Sequence, residues 1–284
     1  MTLLDLDPTS KDALRTAGRT GEPMEVSHQL RSHDLLTLPA LADLAAALPE
    51  SSVEHNVGAL PHVLAGGNAP KLDLSVHDLV TGIEDNGAWV VLKNVEQDVR
   101  YSRLLDSCLD EIEELVSGPG QAFGREGFIF LSAPNSVTPT HIDHEHNVLL
   151  QVYGTKIMVT GRWESPQARQ SEAERLLSGG HRNLASPAVD ETPHHLDPGM
   201  GIYVPPYTPH TVLNGPGLSI SLSVTWRTRA LKDEADLHEL NARLRKAGLS
   251  PQAPGARNGR DRLKLGALSG YSKLKAVGAA VRSR

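Results

Sequence analysis

Between Leu218 and Trp226 the chain alternates without a break. Leu218, Ile220, Leu222, Val224 and Trp226 are apolar, and Ser219, Ser221, Ser223 and Thr225 between them carry hydroxyls. A period of two belongs to an extended strand whose two faces meet different surroundings. Four other strand-like runs precede it, FIFLSA (residues 128–133), NVLLQVYG (147–154), KIMVTGRW (156–163) and GIYVPP (201–206), separated by Pro, Gly and Asn. Five such runs in about 100 residues point to a β-sandwich or barrel.

The flanks read differently. Residues 1–30 are polar and rich in Gly, Thr and Ser, and are expected to be loose. A helix is expected over 39–48, with Thr37 near its start and Pro49 closing it. Another is expected over 75–85, ended by Asn86-Gly87, followed by the short apolar strand AWVVL (88–92). Leu104, Leu105, Cys108, Leu109, Ile112, Leu115 and Val116 recur at helical spacing up to Gly118. After Trp226 the helical period returns, with Leu231, Ala235, Leu240 and Leu244 on one stripe and Gly248 as C-cap. The expected class is α+β, in three parts: an N-terminal helix-and-strand elaboration (1–120), a β core (121–229) and a helical tail (230–284).

Charge separates the tail from the rest. Residues 1–226 hold 14 Lys and Arg against 29 Asp and Glu, whereas 227–284 hold 14 against 5. An acidic body with a basic tail favours a solvated helix packed on an acidic face over a nucleic-acid arm. It also mildly favours a cationic or amine-bearing substrate. The single cysteine, Cys108, excludes an internal disulfide framework and falls on an apolar helix face, as a packing residue. The N-terminal residues lack a signal-peptide pattern, and no apolar run approaches the roughly 20 residues of a membrane span. The expectation is a cytoplasmic protein with no membrane partner.

The densest chemical signal is TPTHIDHEHN (138–147). On a strand, His141 and Asp143 leave the same face, so an imidazole and a carboxylate can take adjacent positions on a metal. His210, behind a Gly turn, an apolar run and stiffening prolines, is the candidate third ligand. Two His and one carboxylate on one octahedral face leave three positions open, as in non-haem Fe(II) oxygenases. Rival ligands are His144 or His146 in a zinc site, and His194-His195. An H-x-D pair taken alone is weak.

The run SVTPTHIDHEHNVLLQVYGTK (136–156), with the distal His and the alternating strand ending in Trp, resembles the core of JmjC-type cupin-fold 2-oxoglutarate oxygenases. It is most similar to the factor-inhibiting-HIF-type hydroxylase branch and its bacterial cupin-like relatives. The resemblance covers about a third of the chain, residues 128–226, and rests on Thr138-Pro139, His141, Asp143, Asn147, Gln151, Gly154 and Lys156. It implies a double-stranded β-helix (cupin or jelly-roll) core. It implies Fe(II) held by His141, Asp143 and His210, with 2-oxoglutarate and O2 as cosubstrates, and a small-molecule or peptide substrate. In such enzymes the Lys pairs with the far carboxylate of 2-oxoglutarate and the Thr hydrogen-bonds it, while the Asn sits near the chelating end; these roles fall on Lys156, Thr138 and Asn147. A second Asn of the family aligns with Ser223, a departure from the pattern. Phe130 is placed to pack along the cosubstrate chain, or simply in the core. A lysine facing inward at 156 would itself require an anionic partner. The implied reaction is C–H hydroxylation coupled to decarboxylation of 2-oxoglutarate to succinate and CO2. A cupin metalloenzyme without 2-oxoglutarate, a JmjC-like protein without catalysis and a lysine demethylase are the rivals. The C-terminal helices carry the further expectation of a homodimer.

Overall fold

The computed structural model describes residues 4–63, 70–256 and 259–269. Its elements run α1 (Pro8–Thr20), β1 (Met24–Ser27), α2 (Leu38–Ala47), β2 (Val53–Val57), α3 (Val76–Thr81), β3 (Ala88–Lys93) and α4 (Val99–Ser117). Then come β4 (Ala122–Ser132), β5 (Val137–His141), β6 (His146–Tyr153), β7 (Lys156–Arg162), α5 (Pro166–Leu177), β8 (Val189–Leu196), β9 (Met200–Val204), β10 (His210–Asn214), β11 (Ser219–Thr228) and α6 (Arg229–Lys246). Residues 259–269 are helical. Among the described residues no helix is long and apolar enough to cross a membrane.

The strands form two antiparallel sheets. One has seven strands in the order β1-β9-β6-β11-β4-β3-β2, the other four in the order β5-β10-β7-β8. From β4 onward the chain changes sheet at every step but β7 to β8, so neighbours in sequence face each other across the interior.

β11 lies at the centre of the larger sheet, paired with β4 and β6. Its apolar set, Leu218 to Trp226, joins the cluster formed with Leu104, Leu105, Cys108, Leu109 and Ile112 of α4. Its hydroxyl set is equally buried, since Ser219 and Ser221 are 0% exposed, but turns to the space between the sheets. The usual sandwich arrangement is therefore reversed: the sheet is backed by helices on its apolar face and lines a polar interior with the other. A second, smaller cluster of Leu149, Met158, Leu196, Ile202, Val204 and Val212 joins the sheets to each other.

The N-terminal residues depart from expectation. Residues 1–30 were expected to be loose, yet α1 and β1 are regular, and Leu4, Leu6, Leu14, Ala17, Val26 and Leu30 are buried. The Asp7 side chain accepts a hydrogen bond from Ser10 N at 2.6 Å, Pro8 opens the first turn, and Gly21 closes the helix in the left-handed region. The start and stop signals were present; of the buried face of this helix, Ser10, Leu14 and Ala17, only the last two are apolar, too few to show a period. α2 and α4 form where the periodicity placed them, and Thr37 and Ser75 are N-caps. α5 and β8 were not read from the sequence. α5 has a Ser165 cap but little apolar periodicity, and β8 is almost wholly exposed.

By its internal packing the chain divides into Met1–Glu164 with Arg182–Thr228, and Ser165–His181 with Arg229–Arg284. In the second unit α6 packs on α5, with ion pairs Arg169–Glu234 at 3.0 Å and Arg245–Glu174 at 2.9 Å. Its buried face is Leu231, Leu237, His238, Asn241 and Ala242, not the stripe through Ala235, Leu240 and Leu244, which are half-buried. The polar members hid that face. Asn241 is buried because it donates to Gln252 O and accepts from Lys264 Nζ.

Gly154 turns the chain between β6 and β7 with φ +66, and a Cβ there would lie 2.0 Å from Leu218 O. Gln151 clasps the same turn by donating to the carbonyls of Tyr153 and Gly154. Gly154→Ala should therefore cost about 1–3 kcal/mol from backbone strain alone. A urea midpoint unchanged from the parent would contradict this.

Candidate metal centre and its cavity

β5 ends at His141, and Asp143 lies two residues beyond it in the connection to β6. The two side chains converge, but through the turn rather than along one strand face. Tyr207 N donates to Asp143 O at 2.7 Å, tying that connection to the segment before β10. β10 pairs with β5 so that His210 stands opposite His141. The two rings lie 4.1 Å apart, and Nε2 of each is 3.6 Å from Asp143 Oδ2. Among the described residues these three form the one cluster of potential ligand atoms lying within 4.8 Å of one another.

The hydrogen bonds fix which atoms face the centre. His141 Nδ1 lies 2.8 Å from Pro139 O, and His210 Nδ1 lies 2.9 Å from Thr208 O. A carbonyl only accepts, so each Nδ1 carries a proton and each Nε2 is the nitrogen turned to the centre. The same device, a ring bonded to the carbonyl two residues before it, orients both imidazoles. Burial, reinforced by the charge of His141, pushes the His210 pKa down to about 3, so its ring is neutral. Burial disfavours the Asp143 carboxylate, but His141, Arg182 and His210 outweigh it and hold Asp143 below the usual carboxylate range. Two imidazoles and one ionised carboxylate are a donor set that suits a divalent cation.

The rival ligands lie elsewhere. His146 stacks on Trp226, with centroids 5.1 Å apart, and its Nδ1 meets the Tyr203 hydroxyl. His144 Nε2 pairs with Glu145 at 3.0 Å. His194 bridges Thr160 and Glu25.

The triad opens into a cavity of about 740 Å³, counting its mouth, between the two sheets. Thr138, Asn147, Lys156, Ser223 and Phe130 all line it. Lys156 starts β7, is 4% exposed, and donates to Ser221 Oγ at 2.7 Å. Among the described residues no carboxylate lies within ion-pair distance of it. Burial pushes its pKa down to about 7. Asn147 Oδ1 accepts from Ser223 Oγ at 2.7 Å. Ser223, the residue that departs from the family pattern, therefore holds Asn147 in place. Ser223→Ala should cost about 1–2 kcal/mol, because it strands a buried acceptor. Urea denaturation measures it, and equal stability would mean that Asn147 finds another donor.

Ser221, Asn214, Trp89, Glu145 and Arg182 also belong to the site but were not singled out as site residues from the sequence. Ser221 had a visible signal, since it shares the hydroxyl face of β11 with Ser223. Asn214 stands opposite Lys156 in the β10–β7 pair and keeps a buried Oδ1 with no hydrogen-bond partner among the described residues. Nothing in sequence spacing marks Trp89, from β3, or Arg182, from a loop.

No protein-family model matches the chain, nor does any curated protein sequence. Among solved structures, Escherichia coli YcfD is similar over 93% of this chain and 67% of its own, at 17% identity and a TM-score of 0.52. The likeness is one of fold. Two further YcfD structures, described as a ribosomal oxygenase, match 86% of this chain and 61% of theirs, at 15% and 17% identity and TM-scores of 0.47 and 0.45. The second of these is in complex with cobalt and 2-oxoglutarate. The chain thus spans about two thirds or less of the length of these neighbours.

Proposed function

We propose that the chain is a JmjC-type, cupin-fold oxygenase that depends on Fe(II) and 2-oxoglutarate and hydroxylates a C–H bond of a small molecule or a protein side chain. The observation that carries this reading is the pairing of the triad with a buried, carboxylate-free lysine in one cavity. A metal site alone would fit many cupins; an unpaired ammonium beside it calls for an anionic ligand. This favours 2-oxoglutarate over a metalloenzyme that does without it. The strand order also supports a double-stranded β-helix, made of β4-β11-β6-β9 facing β5-β10-β7-β8. YcfD, a neighbour in fold, is described as a ribosomal oxygenase, which fits a protein substrate without separating the hydroxylase branches.

In this reading His141, Asp143 and His210 hold the iron through Nε2, Oδ2 and Nε2. Bound iron supplies the oxidising chemistry that no side chain provides. Lys156, oriented by Ser221, ion-pairs with the far carboxylate of 2-oxoglutarate, and Thr138 adds a hydroxyl. Asn147, oriented by Ser223, serves the end nearer the triad, and Phe130 covers the carbon chain. Trp89, Phe128 and Glu145 line the remaining cavity, where the substrate would sit. Self-association through the C-terminal helices belongs to the same proposal, and light scattering on the full chain tests it. Incubating the protein with Fe(II) and 2-oxoglutarate and measuring succinate tests the core of it. Succinate that depends on Asp143 supports the reading, and none, with or without candidate substrates, overturns it.

A further inference from the structure

Arg182 stands beside the triad without being one of its ligands. The carboxylate of Asp143 divides its two oxygens. Oδ2 faces both imidazoles at 3.6 Å, and Oδ1 faces Arg182 Nη1 at 3.5 Å. Arg182 is also fixed by its backbone, since its carbonyl accepts from Ile142 N, the residue between the two ligands. Leu184 N donates to Thr140 O at 2.8 Å, and Asn183 bridges His141, so residues 182–184 are stitched along the end of β5. The guanidinium is thus delivered to Oδ1 from a segment anchored to the ligand strand itself. It is the one cation besides Lys156 that lines the cavity among the described residues.

We infer that Arg182 is a positioning residue that reserves Asp143 Oδ1 and so keeps Asp143 a one-oxygen ligand. A free carboxylate can bind a cation through one oxygen or through both. A guanidinium holding Oδ1 leaves Oδ2 alone for the metal, and a triad of three single donors leaves three positions open. Without Arg182 the second oxygen is free to close one of them. The inference rests on the metal-centre reading above and concerns how many positions that centre keeps open.

Mn(II) alone is a sufficient probe, because the water-proton relaxivity of a bound Mn(II) follows the number of waters on it. Passing from three open positions to two should lower the relaxivity of Arg182→Met and Arg182→Gln by about one third. Arg182→Lys, which keeps a long cationic donor for Oδ1 where Gln is short and neutral, should return it to the parent value. Relaxivity equal to the parent in both Arg182→Met and Arg182→Gln, with Mn(II) bound, overturns the positioning role while leaving the metal centre intact. Failure of the parent to bind Mn(II), or equal binding by Asp143→Ala, instead sinks the metal centre itself and the inference with it.

Discussion

His210→Ala and Asp143→Ala should each abolish succinate formation, and each should also abolish stabilisation by metal. A ligand held only by the folded state raises stability by about 2.7 kcal/mol at one hundred times its Kd. Addition of Mn(II) or Fe(II) under those conditions should raise the melting temperature of the parent and leave both variants unmoved. The two effects separate a metal ligand from a residue that matters for folding alone. His210 and Asp143 sit on different segments, β10 and the β5–β6 connection. Loss of both effects from either one therefore requires the geometry seen here. A variant that kept metal-dependent stabilisation would remove its residue from the ligand set.

Lys156→Met should weaken 2-oxoglutarate binding roughly ten- to a hundredfold, the size of one charge-assisted contact of about 1.5–3 kcal/mol. Metal affinity should be unchanged. The same substitution should stabilise the unliganded protein by on the order of 2 kcal/mol at neutral pH, since it removes a buried ammonium that lacks a counter-ion. The sign follows from linkage. The Lys156 pKa lies near 7 in the folded chain against an ordinary 10.5, so between these values the unfolded chain binds the extra proton. The penalty is complete below pH 7 and fades as the pH rises towards 10.5. Affinity for 2-oxoglutarate runs the other way: level below about pH 7, then weakening by up to tenfold per unit as the free lysine loses its proton. Isothermal titration across pH 6–9 measures this, and a pH dependence that persists in Lys156→Met would assign it to another group.

The sequence marked the residues that cluster at the candidate centre more clearly than the architecture that presents them. Strands with strong alternation or long apolar runs, β3, β4, β6, β7, β9 and β11, could be read directly. The two that end or begin at His141 and His210 show neither pattern, and only the His-x-Asp spacing suggested the first of them. β5 and β10 are five residues each, and His141, His210 and Asn214 are buried polar residues that line a cavity rather than face water. His141, Asp143 and His210 were legible because chemistry restricts the residue types a metal accepts. Arg182 was not, because its place depends on a loop laid against β5 by backbone hydrogen bonds, which any residue can make. Ser221 lies between these cases: the alternation of β11 exposed its face, but only the facing of the two sheets shows that Lys156 reaches it. The tail illustrates the opposite failure, where the expected stripe through Ala235, Leu240 and Leu244 is half-buried while His238 and Asn241 are buried on α6.

β11 keeps its two sets of side chains in separate environments, and this has a consequence for how the protein can change. Leu218, Ile220, Leu222, Val224 and Trp226 meet the helical layer, while Ser219, Ser221, Ser223 and Thr225 meet the cavity side. Neighbouring residues on one strand thus answer to different selective demands. Exchanges among small polar residues at 221, 223 and 225 can reshape what the cavity accepts with little disturbance to the helix-backed core. A new ligand preference could arise on this scaffold by one or two substitutions at those positions, without passing through a poorly folded intermediate.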